Sequence, residues 1–135
     1  MMKMVYPAIF YPEKEGGYSV VVPDLLGCNA QGENLQEAIQ MAQDAALGWL
    51  LVAVEEKIEF PKMSELETIK IEEGKGFVSL LLLDLETYLK KYGRKEEVEK
   101  IVTIPTWLNE KAEKKQINLS KALQEVLLYK VTHEK

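Results

Sequence analysis

The 135-residue chain has one cysteine, Cys28, and one histidine, His133. A single cysteine excludes an internal disulfide framework. Zinc sites built on histidine and cysteine use three or four such ligands, so this composition argues against one. His133 lies close to the last residue, which leaves a Ser–His–Asp triad or a Cys–His pair without a base in a packed region. Long apolar runs are also missing. The longest, residues 80–83 with their flanks, is strand-sized and far short of the ~20 residues of a membrane helix. Pro7 interrupts the start of the chain where a secretory leader needs its apolar stretch. The expectation is a cytoplasmic protein with no membrane partner, no metal and no cofactor. Hydrophobic residues at 47% and charged residues at 29% suit one globular domain, or two small ones on a short linker.

The net charge of −5 is unevenly spread. Residues 1–90 hold 7 lysines against 15 carboxylates, a balance of −8, whereas residues 91–135 hold 10 cations against 7 carboxylates, a balance of +3. An acidic body with a mildly basic tail points to two partners of opposite charge. Short segments also vary this much without functional cause, so the split alone does not decide.

Residues 5–11 are apolar and aromatic, and residues 18–22 are rich in valine. Gly16 and Gly17 lie between them, which predicts a β-hairpin. Residues 23–32 read as a loop or a short third strand. Asn34 is placed to cap a helix, with Glu37 completing a capping box. Leu35, Ala38, Ile39, Ala42, Ala46, Trp49, Leu50 and Ala53 then recur at helical spacing, so an Ala-rich face packs closely on a sheet. Residues 57–74 are polar and irregular. Residues 76–83 predict a strand buried on both faces, in part against a second subunit. Residues 84–92 predict a short amphipathic helix with Leu85, Tyr88, Leu89 and Tyr92 on one side. Trp49 reads as core, and Trp107 as core in preference to a contact beside DNA.

A charged hinge at residues 93–97 separates a tail with its own pattern. Residues 98–104 form a strand candidate, broken at Pro105. Thr106 is a candidate cap for a short helix, residues 116–118 form a turn, and Asn118 opens a second helix carrying Leu119, Ala122, Leu123, Val126 and Leu127. A unit below ~40 residues rarely folds alone without metal or disulfide. The tail is therefore expected to be an intertwined oligomer, most simply a dimer.

This strand–helix–helix order resembles the ribbon-helix-helix DNA-binding unit, in which two copies pair their strands into a ribbon that reads base edges. The resemblance rests on Ile104 and Pro105 before the first helix, Leu108 and Ala112 on it, and Asn118, Leu119 and Ser120 opening the second. Strand alternation puts Val102 and Ile104 toward the core and Thr103, Ile101 and Glu99 outward. Thr103 is then a candidate base contact, and Ile101 a candidate for a thymine methyl. Lys100 has the wrong parity for the ribbon face but enough length for a phosphate. Glu99 departs from the usual polar or basic pattern. Asn118, Ser120 and Lys121 surround the second helix start, where free N–H groups suit a phosphate. Asn118 reads equally as a structural cap.

The N-terminal part resembles HicB-type antitoxins. Residues 18–22 lead into Pro23-Asp24-Leu25-Leu26-Gly27-Cys28, and Gly32-Glu33 precede the Ala-rich helix. Leu26 stands where that family often has a second proline. The resemblance implies an α+β protein. Residues 1–92 would form a small partial RNase H-like body, an antiparallel sheet packed on the Ala-rich helix, and residues 97–135 a ribbon-helix-helix. It implies an antitoxin that masks a HicA-type toxin ribonuclease and represses its own operon at operator DNA, as a homodimer or higher oligomer. Asp24 and Glu33 are the candidate toxin contacts, being acidic and on loops. They read equally as a turn-forming aspartate and a helix N-terminal acid. A stand-alone ribbon-helix-helix regulator with a ligand-binding body, and an adaptor whose tail only dimerises, are the alternatives. Asp24, Glu33 and Asp84 show no spacing that converges on a metal, and Cys28 has no base, so no catalytic residue is assigned.

Overall fold

The computed structural model describes residues 3–72 and 74–132. His133 lies outside them. The elements run β1 (Lys3–Pro12), β2 (Tyr18–Val21), β3 (Asn29–Gly32), α1 (Leu35–Glu55), β4 (Phe77–Asp84), α2 (Leu85–Tyr92), α3 (Thr106–Lys114) and α4 (Leu119–Thr132), with a single 3₁₀ turn at Leu66–Thr68. The protein is thus α+β. The chain divides into two compact units, residues 3–93 and a second beginning at Arg94.

In the first unit an antiparallel sheet has the order β3-β2-β1-β4. The predicted hairpin is β1 with β2, in register Phe10↔Val20. β1 also pairs with β4, so that Tyr6 faces Leu81 and Phe10 faces Phe77. The Phe10 and Phe77 rings stack at 5.4 Å. Tyr6, Ala8, Phe10, Val20, Leu81 and Leu83 share the face covered by α1 and are buried there against Ala38, Ala42, Ala46 and Leu50. Leu35 lies outside this stripe and is 40% exposed. Alanines let the helix backbone approach closely, and Gly32 marks the limit. A Cβ added at Gly32 would sit 2.2 Å from the Ala38 nitrogen.

Asn34 caps α1 by accepting from the Glu37 amide at 2.8 Å. The Glu37 carboxylate reaches back to the Glu33 amide at 3.2 Å, one residue earlier than a simple capping box would have it. At its other end α1 closes with Lys57 at φ 59°, with the Lys57 amide donating to Val54 and the Ile58 amide to Ala53. This is a Schellman motif without glycine.

Beyond α1 the chain wraps the sheet. The Tyr6 hydroxyl donates to the Pro61 carbonyl at 2.5 Å. Residues 64–72 then run over the second face, where Ile9, Tyr11 and Val21 share a shallow groove with Ser64, Thr68 and Ile69. The Glu72 amide donates to the Tyr11 hydroxyl at 3.3 Å. This segment covers β1 and β2, which corrects the expectation for β4. Leu81 and Leu83 are buried, but Leu80 and Leu82 on the opposite face are 50% and 51% exposed, because β4 is the edge strand. Asp84 caps α2 through the Thr87 amide and hydroxyl. Leu85 is buried, whereas Tyr92 at the far end of the predicted apolar side is 54% exposed.

In the second unit, residues 98–104 make no strand ladder within the chain. A lone strand has no neighbour whose backbone can complete its hydrogen bonds. Pro105, not Thr106, occupies the cap of α3, and its carbonyl accepts from the Leu108 and Asn109 amides. Gln116 sits at φ 56°, and its amide and that of Ile117 donate to Glu113 and Ala112, a second Schellman ending on a residue other than glycine.

Candidate functional site

In the first unit the two acidic candidates lie apart. Asp24 is half-buried, and both its carboxylate oxygens are engaged by Ser64, one by the amide at 2.8 Å and one by the hydroxyl. It fastens the wrapping segment to the loop after β2. Its charge also reaches Tyr6, whose phenol is pushed above its ordinary value by burial first and by Asp24 second. Glu33 is exposed on the turn between β3 and α1. It lines an open cleft of about 970 Å³ together with Glu13, Glu15 and Glu37. Lys14 and Lys75 are the cations on its wall. The cleft gathers three segments far apart in sequence: the β1–β2 turn, the β3–α1 turn and residues 74–76. Sequence reading missed Glu13 and Glu15 because that stretch reads only as a turn. A surface of this kind can hold a cationic partner, since carboxylates close together sum their fields.

Asp84 does not join Asp24 or Glu33. Burial pushes its carboxyl up, but the Thr87 amide and hydroxyl and the Lys3 ammonium outweigh that and hold it below the ordinary carboxylate value. No group of three or more His, Cys, Asp or Glu placed to hold a metal ion occurs among the described residues. Cys28 is buried, which raises its thiol, and its backbone closes a tight turn with Val22 and Leu25. Trp49 packs against the core and donates from Nε1 to the Leu26 carbonyl at 3.0 Å. The Leu26 side chain itself projects from the loop, 88% exposed.

In the second unit no described residue is buried. Ile101 is fully exposed and Val102 is 61% exposed, and Lys100 and Thr103 are exposed beside them. Trp107 is 61% exposed within one chain. Leu108, Leu119, Leu123, Val126 and Leu127 are likewise open. Two helices of 9 and 14 residues cannot enclose an interior between them. Asn118 caps α4 by accepting from the Lys121 amide at 3.1 Å. Ser120 and Lys121 occupy the exposed first turn of that helix. No helix among the described residues is long and apolar enough to cross a membrane.

Comparison with known proteins places these features together. Residues 6–126 match the family model of the HicB-like antitoxin of bacterial toxin–antitoxin systems. A UPF0150 protein of Synechocystis is 38% identical over 68 residues, covering 50% of this chain and 92% of that protein. A toxin–antitoxin complex from Streptococcus pneumoniae contains a chain with a TM-score of 0.60 and 26% identity, covering 96% of this chain and 99% of that one. The antitoxin HicB of Burkholderia pseudomallei shares the fold at a TM-score of 0.56 and 22% identity, over 93% of this chain and 96% of its own. The four-stranded sheet, the Ala-rich helix and the two-helix tail are therefore those of a member of the HicB-like antitoxin family, and this chain belongs to it.

Proposed function

We propose that the two units do separate work. The body, residues 1–92, is a partial RNase H-like fold that masks a small basic HicA-type toxin ribonuclease. The tail, residues 97–135, is a ribbon-helix-helix that forms a homodimer, binds operator DNA and represses the operon encoding both proteins in the cytoplasm. The observation that carries the first half is the cleft shared by Glu13, Glu15, Glu33 and Glu37 on a body with a balance of −8. An RNA-cleaving partner carries a cationic face for its substrate, and an acidic cleft competes for it. The same reading assigns binding and no catalysis to this chain. The second half is supported by the exposed apolar residues of α3 and α4 and by the unladdered segment 98–104. Both are completed when a second copy supplies the missing helices and the missing strand. In that dimer Thr103 and Ile101 face the major groove, Lys100 reaches a phosphate, and Asn118, Ser120 and Lys121 hold another at the start of α4.

A small-ligand regulator calls for an enclosed, mainly apolar pocket. The cleft here is open and lined by charge, which favours a macromolecular partner.

The test is an RNA-cleavage assay with the toxin encoded beside this gene. The full chain is expected to stop cleavage at one-to-one stoichiometry. The exposed reversals Glu15→Lys and Glu33→Lys together are expected to slow association about tenfold at low salt, with the difference shrinking as salt rises. Unchanged association would remove the cleft from the interface, and failure of the native chain to protect RNA would remove the antitoxin reading itself.

A further inference from the structure

The net positive charge of the tail lies ahead of its helices. Residues 96–135 hold 7 cations against 7 carboxylates, a balance of zero. The +3 of residues 91–135 therefore comes from Lys91, Arg94 and Lys95 alone. With Lys90 they make four cations in the six residues 90–95, a stretch with no carboxylate. Lys90 and Lys91 stand in the last turn of α2, and Arg94 and Lys95 open the second unit. All four are exposed. Helix position accounts for the first two, since cations suit a helix C-terminus. Lys90 also meets Glu86 at 3.4 Å, and the Lys91 ammonium lies 5.2 Å from the Tyr92 ring centre. Arg94 and Lys95 follow the end of the helix, where the helix dipole no longer accounts for them.

We propose that residues 90–95 are a phosphate-binding arm that grips the DNA backbone outside the base pairs read by the ribbon. This arm presupposes the operator reading above and adds to it, because the contacts assigned there begin at Lys100. A unit with no net charge is not drawn to a polyanion from a distance. Glu96, Glu97 and Glu99 add repulsion at the place where the chain enters the groove. The four cations immediately before them offset it. In a dimer the arm occurs twice, once for each half-site.

Reach and chemistry fit duplex DNA. Gly93 leaves α2 in an extended conformation, φ −66° and ψ 164°. Thr103 lies eight residues beyond Lys95, and eight residues span at most about 29 Å. At about 3.4 Å of rise per base pair, that length takes Lys95 to phosphates several base pairs outside the one Thr103 reads. The planar fork of Arg94 suits two phosphate oxygens, and Lys95 acts as a point charge. Neither reads a base, so the arm adds affinity and register without adding sequence choice. Single-stranded RNA is the competing occupant, since an exposed aromatic within a basic segment can stack on an unpaired base. The Tyr92 ring, however, already meets Tyr88 at 4.7 Å and carries the Lys91 ammonium, which favours the duplex.

The full chain is titrated onto dye-labelled duplexes, and binding is read by fluorescence anisotropy from about 50 to 200 mM salt. One duplex carries the promoter segment upstream of this gene that the native chain protects from hydroxyl radicals. A second is trimmed to the base pairs at its centre, and a third is scrambled. Arg94→Gln with Lys95→Gln is expected to reduce the slope of log affinity against log salt by about two to four, from two cations on each of two copies. It is expected to weaken operator and scrambled duplex alike by about tenfold, with dimer mass unchanged. Arg94→Lys with Lys95→Arg keeps the charge and is expected to bind within about twofold of the native chain. Trimming the flanks is expected to weaken the native chain about tenfold and the neutralised variant hardly at all. If trimming costs the native chain nothing, the arm makes no flanking contact and the proposal falls, a result that needs no variant to fold. It falls equally if the neutralised variant keeps the native slope, or if that variant loses affinity for single-stranded RNA and none for the duplex. A native chain that binds no duplex removes the operator reading and the arm together, whereas native operator binding with an unchanged slope removes the arm alone.

Discussion

The carboxylate of Asp24 takes both donors of Ser64, forty positions along the chain, one at each oxygen. That contact converts a polar stretch with one turn of regular structure into a strap across the sheet. Asp24→Ala is expected to free residues 58–72 and to cost about 1–3 kcal/mol, the usual range for losing hydrogen bonds to a partly buried charge. Urea unfolding gives the loss, and amide exchange at Ser64 gives its location. A full-sized loss with native RNA protection makes Asp24 a structural residue, and lost protection at native stability makes it a toxin contact.

Tyr6, fixed to the Pro61 carbonyl, gives the body an alkaline limit. Burial, then the charge of Asp24, raises the phenol above its ordinary 10.0. Between that value and the folded one, the unfolded chain has released a proton that the folded chain keeps. The Tyr6 contribution is therefore intact below pH 10.0 and is lost as pH rises through the folded value. Cys28 is raised by burial from 9.0, so the fall has the same sign and begins with it. Tyr88 is raised from 10.0 and adds to it. Tyr6→Phe is expected to cost about 1 kcal/mol at neutral pH through the lost hydrogen bond and to flatten the fall above pH 10. Urea midpoints between about pH 8 and pH 11 read both, and an unchanged slope would clear Tyr6 of the role.

Much of this architecture is legible from local pattern. The hairpin from Gly16 and Gly17, the Asn34 cap and the alanine stripe each depend on residues within a turn or two of one another. What is not legible depends on distance. The Asp24–Ser64 tether and the carboxylates of the cleft come from segments far apart, with no period to announce them. β4 reads as buried on both sides because its composition is uniformly apolar, whereas its place at the edge is a matter of strand order. In the tail the helical stripes are visible, and within one chain Leu119, Leu123, Val126 and Leu127 stay exposed. The ends of α1 and α3 are hidden differently, since a Schellman motif is announced by glycine and here Lys57 and Gln116 hold the left-handed position.

Those two residues make a direct test of local strain. A side chain with a Cβ in the left-handed region costs about 1 kcal/mol, and glycine does not. Lys57→Gly is expected to stabilise the first unit by about 0.5–1 kcal/mol, because part of the gain is returned through the greater freedom of glycine in the unfolded chain. Gln116→Gly is expected to stabilise the second unit by a similar amount. Thermal unfolding of the full chain reads both, and the double variant is expected to add, since the residues belong to separate units. A loss of stability in either would show that the side chain makes contacts worth more than its backbone strain.

Thr103 distinguishes the two faces of the segment before α3. If residues 98–104 pair with a second copy as a ribbon, alternation turns Thr103 and Ile101 to one face and Val102 and Ile104 to the other. Thr103→Ala then removes a base-edge hydrogen bond without touching the dimer core. Operator affinity is expected to fall by about 1–3 kcal/mol, with loss of discrimination at the contacted base pair and no change in dimer mass or RNA protection. Lys100→Ala is expected to weaken all DNA sequences alike and to reduce the salt slope by about one. Val102→Ala, on the opposite face, is expected to weaken the dimer instead. If Thr103→Ala dissociates the dimer while Val102→Ala spares it and costs operator affinity, the faces are exchanged, and Val102 and Ile104 belong to the DNA side.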